Sequence, residues 1–207
     1  YCNANSSSKY LRVRFSEVKK GYNFDFIRTC NSTPHDFTFE GNLFPGTYKV
    51  SVSGYSTSYA NLPTTSQTIY DELAITKATS GIALNVTTVP LSGIVTLNGA
   101  KPKFASYCNA NSSSKYLRVR FSEVKKGYNF DVIRTCNSTP HDFTFEGVVF
   151  PGTYNVSVSG YSTSYANLPT TAQVIYDQLT LTKATSGIAL NVTTVPLSGL
   201  VTLNGAK

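Results

Sequence analysis

The sequence lacks methionine and tryptophan, contains two histidines, and has only 14% charged residues. It has no run of about 18 apolar residues, so we expect no membrane-spanning helix in this segment. It also has no calcium-binding loop of alternating Asp and Asn, no paired carboxylates, no phosphate-binding glycine loop and no nucleophile elbow. We therefore expect no enzymatic activity, no catalytic, metal-binding or cofactor-binding residues, and no cofactor.

The net charge of +7 raises the question of a nucleic-acid partner. A basic protein can bind nucleic acid or an anionic surface, or its charge can simply keep it soluble. The basic residues are scattered, and the densest segments are short, Arg12 to Arg14 and Lys19 to Lys20 with their later copies. This spacing is unlike a polybasic tract, so we expect no nucleic-acid partner.

Aromatic residues are abundant, with 14 tyrosines and 12 phenylalanines in 207 residues. Aromatic and β-branched side chains pack well on the half-buried face of a sheet. Low charge combined with many aromatic residues is the opposite of the composition of disordered chains. The composition therefore predicts a folded, all-β protein.

An internal repeat dominates the sequence. Residues 1–101 align with residues 107–207 without a gap, and 91 of the 101 pairs are identical. A period of 106 residues is too long for a solenoid repeat, so each copy is expected to have its own core. The chain is therefore predicted to contain tandem domains of one kind.

Short segments with strand patterns occur throughout each copy. In the second copy they are residues 116–121, 128–136, 143–145, 153–158, 175–182 and 188–193, and one further pattern, residues 93–97, lies before Cys108. No stretch shows the helical period of 3.6 residues. About seven short strands per hundred residues, separated by Gly, Pro and Asn, are typical of an Ig-like antiparallel β-sandwich.

Two segments resemble a known family of sandwich domains. Residues 92–99, Ser-Gly-Ile-Val-Thr-Leu-Asn-Gly, resemble the first strand of carboxypeptidase regulatory-like domains, which belong with CnaB-type and transthyretin-like sandwiches. Residues 143–158, which include Phe-Pro-Gly-Thr-Tyr at residues 150–154, resemble their central hairpin. The resemblance implies tandem transthyretin-like sandwich domains, as in extracellular surface or fibre proteins.

The resemblance also implies where the domains begin and end. If residues 92–99 contain the opening strand, residues 89–194 are a complete β-sandwich repeat. Residues 1–88 are then a repeat without its first strand. Residues 195–207 are the first strand of a following repeat.

We expect this last segment to complete another copy of the domain. Its sequence repeats that of the opening strand, with Leu200 in place of Ile94. The donor-strand residues are Leu197, Leu200, Val201 and Leu203.

Two routes to that completion stay open. Either the sequence is a window on a longer chain of repeats, or separate chains assemble head to tail by donating the strand, a form of β-augmentation. Exposed strand edges invite such pairing. A head-to-tail contact that does not close on itself generates a fibre.

Each copy contains two cysteines 28 residues apart, Cys2 with Cys30 and Cys108 with Cys136. A metal site would need four nearby ligands or a Cys-x-x-Cys pair, and neither is present. A catalytic thiol would need a positioned base, and the one histidine of each copy follows Thr-Pro in a turn. We therefore predict one disulfide in each copy, and with it an extracellular or cell-surface location.

Asparagine sequons and tyrosine-rich turns are the remaining candidate sites. The sequons lie at Asn5, Asn31, Asn85, Asn111, Asn137 and Asn191. Chance accounts for most of them in so serine- and threonine-rich a sequence. N-glycosylation is expected only if the source organism has the glycosylation machinery. We expect Asn85 and Asn191 to point outward, because their neighbours take the buried phase of a strand.

The tyrosines of the possible contact loop are Tyr55, Tyr59, Tyr161 and Tyr165. They lie among Ser, Asn and Gly, a composition typical of recognition loops. The same tyrosines could instead pack across the end of the sandwich, and both interpretations stay open.

The leading functional hypothesis is a structural one: a repeat segment of an extracellular fibre, stalk or surface appendage, whose partners are further copies of itself. The near-identity of the copies favours it, because interchangeable spacers need only the same fold, although recent duplication alone would also give this identity. The alternative is an adhesin-type binding module, in which the tyrosine-rich loops contact a glycan or surface protein and repetition gives avidity.

Overall fold

The structure is a computed structural model, and it describes residues 6–32, 36–55, 61–104, 108–109, 111–162 and 166–201. Within these residues the chain contains eleven β-strands and no helix, so the prediction of an all-β protein is confirmed. The strands are β1 (Lys9–Glu17), β2 (Asn23–Thr29), β3 (Gly46–Gly54), β4 (Gln67–Ile75), β5 (Val89–Leu97), β6 (Lys115–Glu123), β7 (Asn129–Thr135), β8 (Thr144–Val149), β9 (Gly152–Gly160), β10 (Gln173–Leu181) and β11 (Thr185–Val192). Because the described residues form no helix, none of them belongs to a helix long and apolar enough to cross a membrane.

Strands β1 to β4 form one antiparallel sheet with the order β2-β1-β3-β4. We call residues 6–88, which contain it, the first unit. In β1, Val13 is buried while Arg12 and Arg14 on either side of it are half-buried, because alternate residues of a strand face opposite sides. Arg14 donates to the carboxylate of Asp25 on β2, with a nitrogen–oxygen distance of 2.7 Å.

We call residues 89–194 the second unit, and its described residues contain seven strands in two sheets. The sheet orders are β10-β9-β6-β7 and β11-β5-β8. Side chains of both sheets meet in one buried cluster, to which Phe121 and Tyr154 contribute from the first sheet and Val95 and Leu190 from the second. The second unit is therefore β-sandwich-like.

One pairing corrects the predicted antiparallel topology. Strand β11 runs parallel to β5, with Ile188 beside Gly93 and Val192 beside Leu97, whereas β8 pairs with β5 antiparallel. The smaller sheet is therefore mixed. An alternating pattern identifies a strand but not the direction of its neighbour, which is why the sequence did not reveal this pair.

The number of strands also differs from the prediction of about seven in each copy. That number is correct for the second unit. The described residues of the first unit contain four strands. Residues 38–43 and 79–86, which correspond to β8 and β11, form no strand.

The Phe-Pro-Gly-Thr-Tyr sequence forms the same contact in both units. The Tyr154 hydroxyl donates to the Phe150 carbonyl at 2.6 Å, and the Tyr48 hydroxyl donates to the Phe44 carbonyl at 2.5 Å. Both tyrosine side chains are buried. A buried hydroxyl needs a hydrogen-bond partner, so this contact ties the beginning of β9, and of β3, to the turn that precedes it.

Candidate functional site

A groove with a volume of about 730 Å³, lined by apolar and polar residues, opens in the first unit. Its lining comes from the sheet and from three segments that form no strand, residues 37–39, 61–62 and 79–88. The sheet contributes the apolar residues Leu11, Val13 and Val52, and the three segments contribute Phe37, Phe39, Leu62, Ile82, Leu84 and Val86. The groove is therefore bounded by the same kind of side chains that form the core of the second unit.

The corresponding segments of the second unit enclose strand β5. There β8 and β11 lie on either side of β5 and pair with it. Residues 79–86 and β11 have the same eight amino acids, and residues 38–43 differ from β8 at two positions. The groove of the first unit thus lies at the position that β5 occupies in the second.

The open groove leaves apolar side chains of the first unit accessible to solvent. Phe37 is 59% exposed, whereas its counterpart Phe143 is 0% exposed. Ile82 and Leu84 are half-buried, whereas their counterparts in β11 are buried. Clustered apolar exposure of this kind marks an interaction surface.

Strand β5 fits between its neighbours because residue 93 has no side chain. A Cβ atom built on Gly93 would lie 2.1 Å from the carbonyl oxygen of Ile188 in β11 and 2.5 Å from the ring of Phe145 in β8. A contact of 2.1 Å with a backbone atom cannot be relieved by turning a side chain. Glycine is therefore required at this point of the strand.

Residues 195–201 follow the second unit as an exposed apolar segment. Leu197 is 96% exposed and Val201 is 93% exposed, whereas Leu91 and Val95, their counterparts in β5, are 3% and 0% exposed. Leu200 is also exposed, and these residues form no strand. The fourth predicted donor residue, Leu203, lies outside the described residues.

Sequence reasoning named the donor strand but missed Gly93 and the residues that line the groove. A glycine inside an alternating strand pattern signals a close approach of two backbones, and this signal was sufficient to single out Gly93. The groove residues gave no such signal, because each belongs to an ordinary pattern of buried positions.

The cysteines of the second unit form the predicted disulfide. Cys108 and Cys136 are bonded, with a distance of 5.1 Å between their Cα atoms, and the bond ties residue 108 to the end of β7. Cys30 is also disulfide-bonded. Its predicted partner Cys2 lies outside the described residues.

His141 lies beside this disulfide. Its Nε2 atom is 3.5 Å from the Cys108 sulfur, and its ring stacks on Phe104 with 4.0 Å between the ring centres. Because the sulfur is bonded to Cys136, this pair is not a thiol with its base. Among the described residues, no group of three or more His, Cys, Asp and Glu side chains could hold a metal ion.

Five of the six sequon asparagines fall in the described residues, and all five are exposed: Asn31, Asn85, Asn111, Asn137 and Asn191. Asn5 lies outside the described residues. The side-chain oxygen Oδ1 of Asn191 accepts hydrogen bonds from the Thr96 hydroxyl at 2.9 Å and from the Gly99 backbone amide at 2.8 Å, so it holds the turn that follows β5. Glycosylation of these residues stays a prediction.

Tyr55 and Tyr161 lie directly after β3 and β9, and both are exposed. The Lys9 ammonium lies 5.5 Å from the centre of the Tyr55 ring, and the Lys115 ammonium lies 5.3 Å from that of Tyr161. These distances are those of a cation–π contact. The other two tyrosines of the predicted contact loop, Tyr59 and Tyr165, lie outside the described residues.

Comparison with known proteins identifies no family for this chain. No protein-family model and no curated protein matches the chain. Among solved structures, the chain is similar to a leucine-rich repeat protein from Bacteroides thetaiotaomicron, with 16% sequence identity and a TM-score of 0.27. The similarity covers 91% of this chain and 25% of that protein, so the chain spans about a quarter of its length.

Proposed function

We propose that the chain is a structural repeat segment of an extracellular fibre, stalk or surface appendage. Its two units are repeats of one transthyretin-like β-sandwich of the carboxypeptidase regulatory-like and CnaB-type kind. A strand from outside the first unit completes that unit, and the segment after the second unit completes the next. The repeats are joined head to tail in one long chain or between separate chains.

One observation carries this proposal. The strand sequence that is buried as β5 occurs again as an exposed segment, and the first unit has an open groove where such a strand would lie. A donor segment that follows one unit and an acceptor groove in another give a contact that repeats rather than closes. Burying one leucine or valine side chain stabilises a complex by about 1.5 to 3 kcal/mol before the costs of association.

The disulfide supports the extracellular part of the proposal. Disulfides form and persist outside the cytosol and are rare within it. The Cys108–Cys136 bond therefore fits a secreted or surface-displayed protein.

Electron microscopy of the native material tests this function. We expect long unbranched filaments, and isolated globular particles would contradict the proposal. Denaturing electrophoresis of the filaments with reductant then separates the two routes. Bands far above 22.5 kDa indicate one long chain of repeats, and a band at the 22.5 kDa mass indicates strand donation between subunits.

A second candidate function is an adhesin-type module that binds a glycan or a surface protein. It is favoured by the exposed lysine–tyrosine pair that both units repeat, Lys9 with Tyr55 and Lys115 with Tyr161. Glycan arrays and pull-downs with the intact chain test it. Saturable binding that is lost in a Tyr55→Ala and Tyr161→Ala double variant supports this function, and binding that the double variant retains contradicts it.

A further inference from the structure

We infer that the groove of the first unit accepts residues 195–201 of a second copy of this chain, inserted parallel to residues 79–86 and antiparallel to residues 38–43. The inference rests on the proposed function and specifies the contact that joins two copies. These directions are the ones in which β5 pairs with β11 and β8 in the second unit. Residues 195–201 have the sequence of residues 89–95 except for Leu200.

The residues that line the groove of the first unit match those that surround β5 in the second unit. Leu11, Val13 and Val52 occupy the places of Leu117, Val119 and Val158, with the same side chains. Residues 79–86 are identical to β11.

Three core positions differ between the units. Phe26 replaces Val132, Leu43 replaces Val149, and Ile75 replaces Leu181. All six side chains are apolar, so the groove is lined by side chains of the same chemical kind.

The donor segment, residues 195–201, is identified by comparison with β5: the same sequence is buried as β5 and exposed as residues 195–201. Strand β5 is already built into the core of the second unit. Residues 195–201 are the other copy of that strand, and their leucine and valine side chains face solvent. A second copy of the chain therefore brings to the groove the sequence that this kind of core accepts.

Glycine at position 199 determines which strand can enter. Its counterpart Gly93 lies against the Ile188 carbonyl and the Phe145 ring, and the corresponding residues of the groove are Ile82 and Phe39. In the exposed segment, a Cβ atom on Gly199 would meet nothing within 4 Å. Gly199 is therefore needed for insertion into another copy but not for the fold of its own chain.

A matched pair of full-length variants tests the contact. We expect the unaltered chain to form oligomers that grow with concentration in light scattering, and the Ser198→Ala variant to do the same. The Gly199→Ala variant should remain monomeric at the same concentrations, with an unchanged melting temperature of the second unit. Equal assembly of the Gly199→Ala variant and the unaltered chain would overturn the inference.

Peptides test the same site without requiring assembly. The full-length Gly199→Ala chain keeps its groove but has an impaired donor, so it serves as the acceptor for synthetic residues 195–207. We expect saturable binding of this peptide in calorimetry. A peptide with alanine at position 199 should bind about tenfold more weakly or worse, because overpacking a close contact is unfavourable. Equal affinity of the two peptides, or no binding of either, contradicts the proposal.

Cysteine pairing tests the register. Ile94 lies opposite Thr144 in the second unit, so Leu200 should lie opposite Thr38 of the other copy. Directly opposite residues of paired strands are close enough for a disulfide. Mixing Thr38→Cys and Leu200→Cys chains under mild oxidation should give a covalent dimer. The control is Asn42→Cys. Its counterpart Val148 lies opposite Pro90, so residue 42 should lie opposite Pro196 and give no dimer with Leu200→Cys. Equal yields from both mixtures overturn the assigned register.

These outcomes are distinguishable from failure of the proposed function. Filaments in native material together with full assembly of the Gly199→Ala chain would refute the inference and leave the fibre function standing. Peptide binding with the predicted glycine dependence, in a protein that forms no filaments, would refute the fibre function and leave the strand contact standing.

Discussion

The Tyr154 hydroxyl shows how one atom fixes the turn before a core strand. It is buried and donates to the Phe150 carbonyl four residues earlier. Replacing Tyr154 with Phe leaves the ring in place and removes the donor, so the carbonyl loses its partner. We expect the free energy of unfolding of the second unit to fall by about 1 kcal/mol, which lowers its melting temperature by about 4 to 8 °C. Differential scanning calorimetry measures this change. The exposed Tyr161→Phe variant is the control, and an equal loss in both variants would contradict the assignment.

Buried tyrosines also make the protein sensitive to alkali. Burial raises the pKa of the Tyr154 and Tyr116 hydroxyls above the usual value of about 10. The folded state therefore favours the neutral phenol. This stabilisation is fully present below pH 10 and is lost as the pH rises further, because the unfolded chain then ionises more readily than the folded one.

An alkaline titration checks this expectation. Tyrosinate absorbance should rise in two stages, first for the exposed tyrosines and then together with the loss of β-sheet circular dichroism. Ionisation of all tyrosines near pH 10 with the sheet signal intact would contradict it.

At the level of the strand, two copies of one sequence have different structures. Residues 79–86 and 185–192 share eight amino acids, yet only the second set forms a strand, β11, within the described residues. The difference is the neighbour: β11 pairs with β5, and residues 79–86 line the open groove. Strand formation depends on a partner for the backbone as well as on side-chain pattern.

This dependence explains what the sequence could and could not predict. The strand pattern at residues 93–97 and the six patterns of the second copy correspond to β5 through β11, because alternation and turn residues are local signals. The parallel pairing of β11 with β5 and the absence of strands at residues 38–43 depend on distant residues. The donor segment was evident from the repeat, whereas the groove that would receive it became visible only in three dimensions.

Strand β5 provides the element-scale prediction. Gly93→Ala places a Cβ atom 2.1 Å from the Ile188 carbonyl oxygen, so β5 must shift away from β11. We expect the second unit to lose about 3 kcal/mol of stability or more, at the upper end of the cost of overpacking. Denaturant unfolding followed by circular dichroism measures the loss.

Gly199→Ala is the matched control, since it is the same substitution in the same sequence. Its added Cβ atom meets nothing in the chain itself, so the stability of the second unit should be unchanged. Equal stability of the Gly93→Ala variant and the unaltered chain would show that β5 does not need glycine at this position.

For the whole molecule, the accessible surface reflects two cores rather than one. The chain exposes 12545 Å², whereas a compact monomer of its mass exposes about 9,500 Å². The buried residues form two separate clusters, one in each unit. The excess surface agrees with a chain that has two separate cores, an open groove in the first unit and an exposed apolar segment at residues 195–201.

Two cores of unequal completeness predict two unfolding transitions. Among the described residues, the first unit has four strands and an open groove, whereas the second has seven strands and encloses β5. In the full-length Gly199→Ala chain, whose donor segment is impaired, we expect the first unit to melt at the lower temperature.

A synthetic peptide of residues 195–207 should raise the melting temperature of the first unit and leave that of the second unit unchanged, because a ligand stabilises only the state that binds it. At a peptide concentration a hundred times the dissociation constant, the gain is about 2.7 kcal/mol. Differential scanning calorimetry over a peptide series measures both transitions. A single transition, or a shift of the upper one instead, would show that the first unit is not the acceptor.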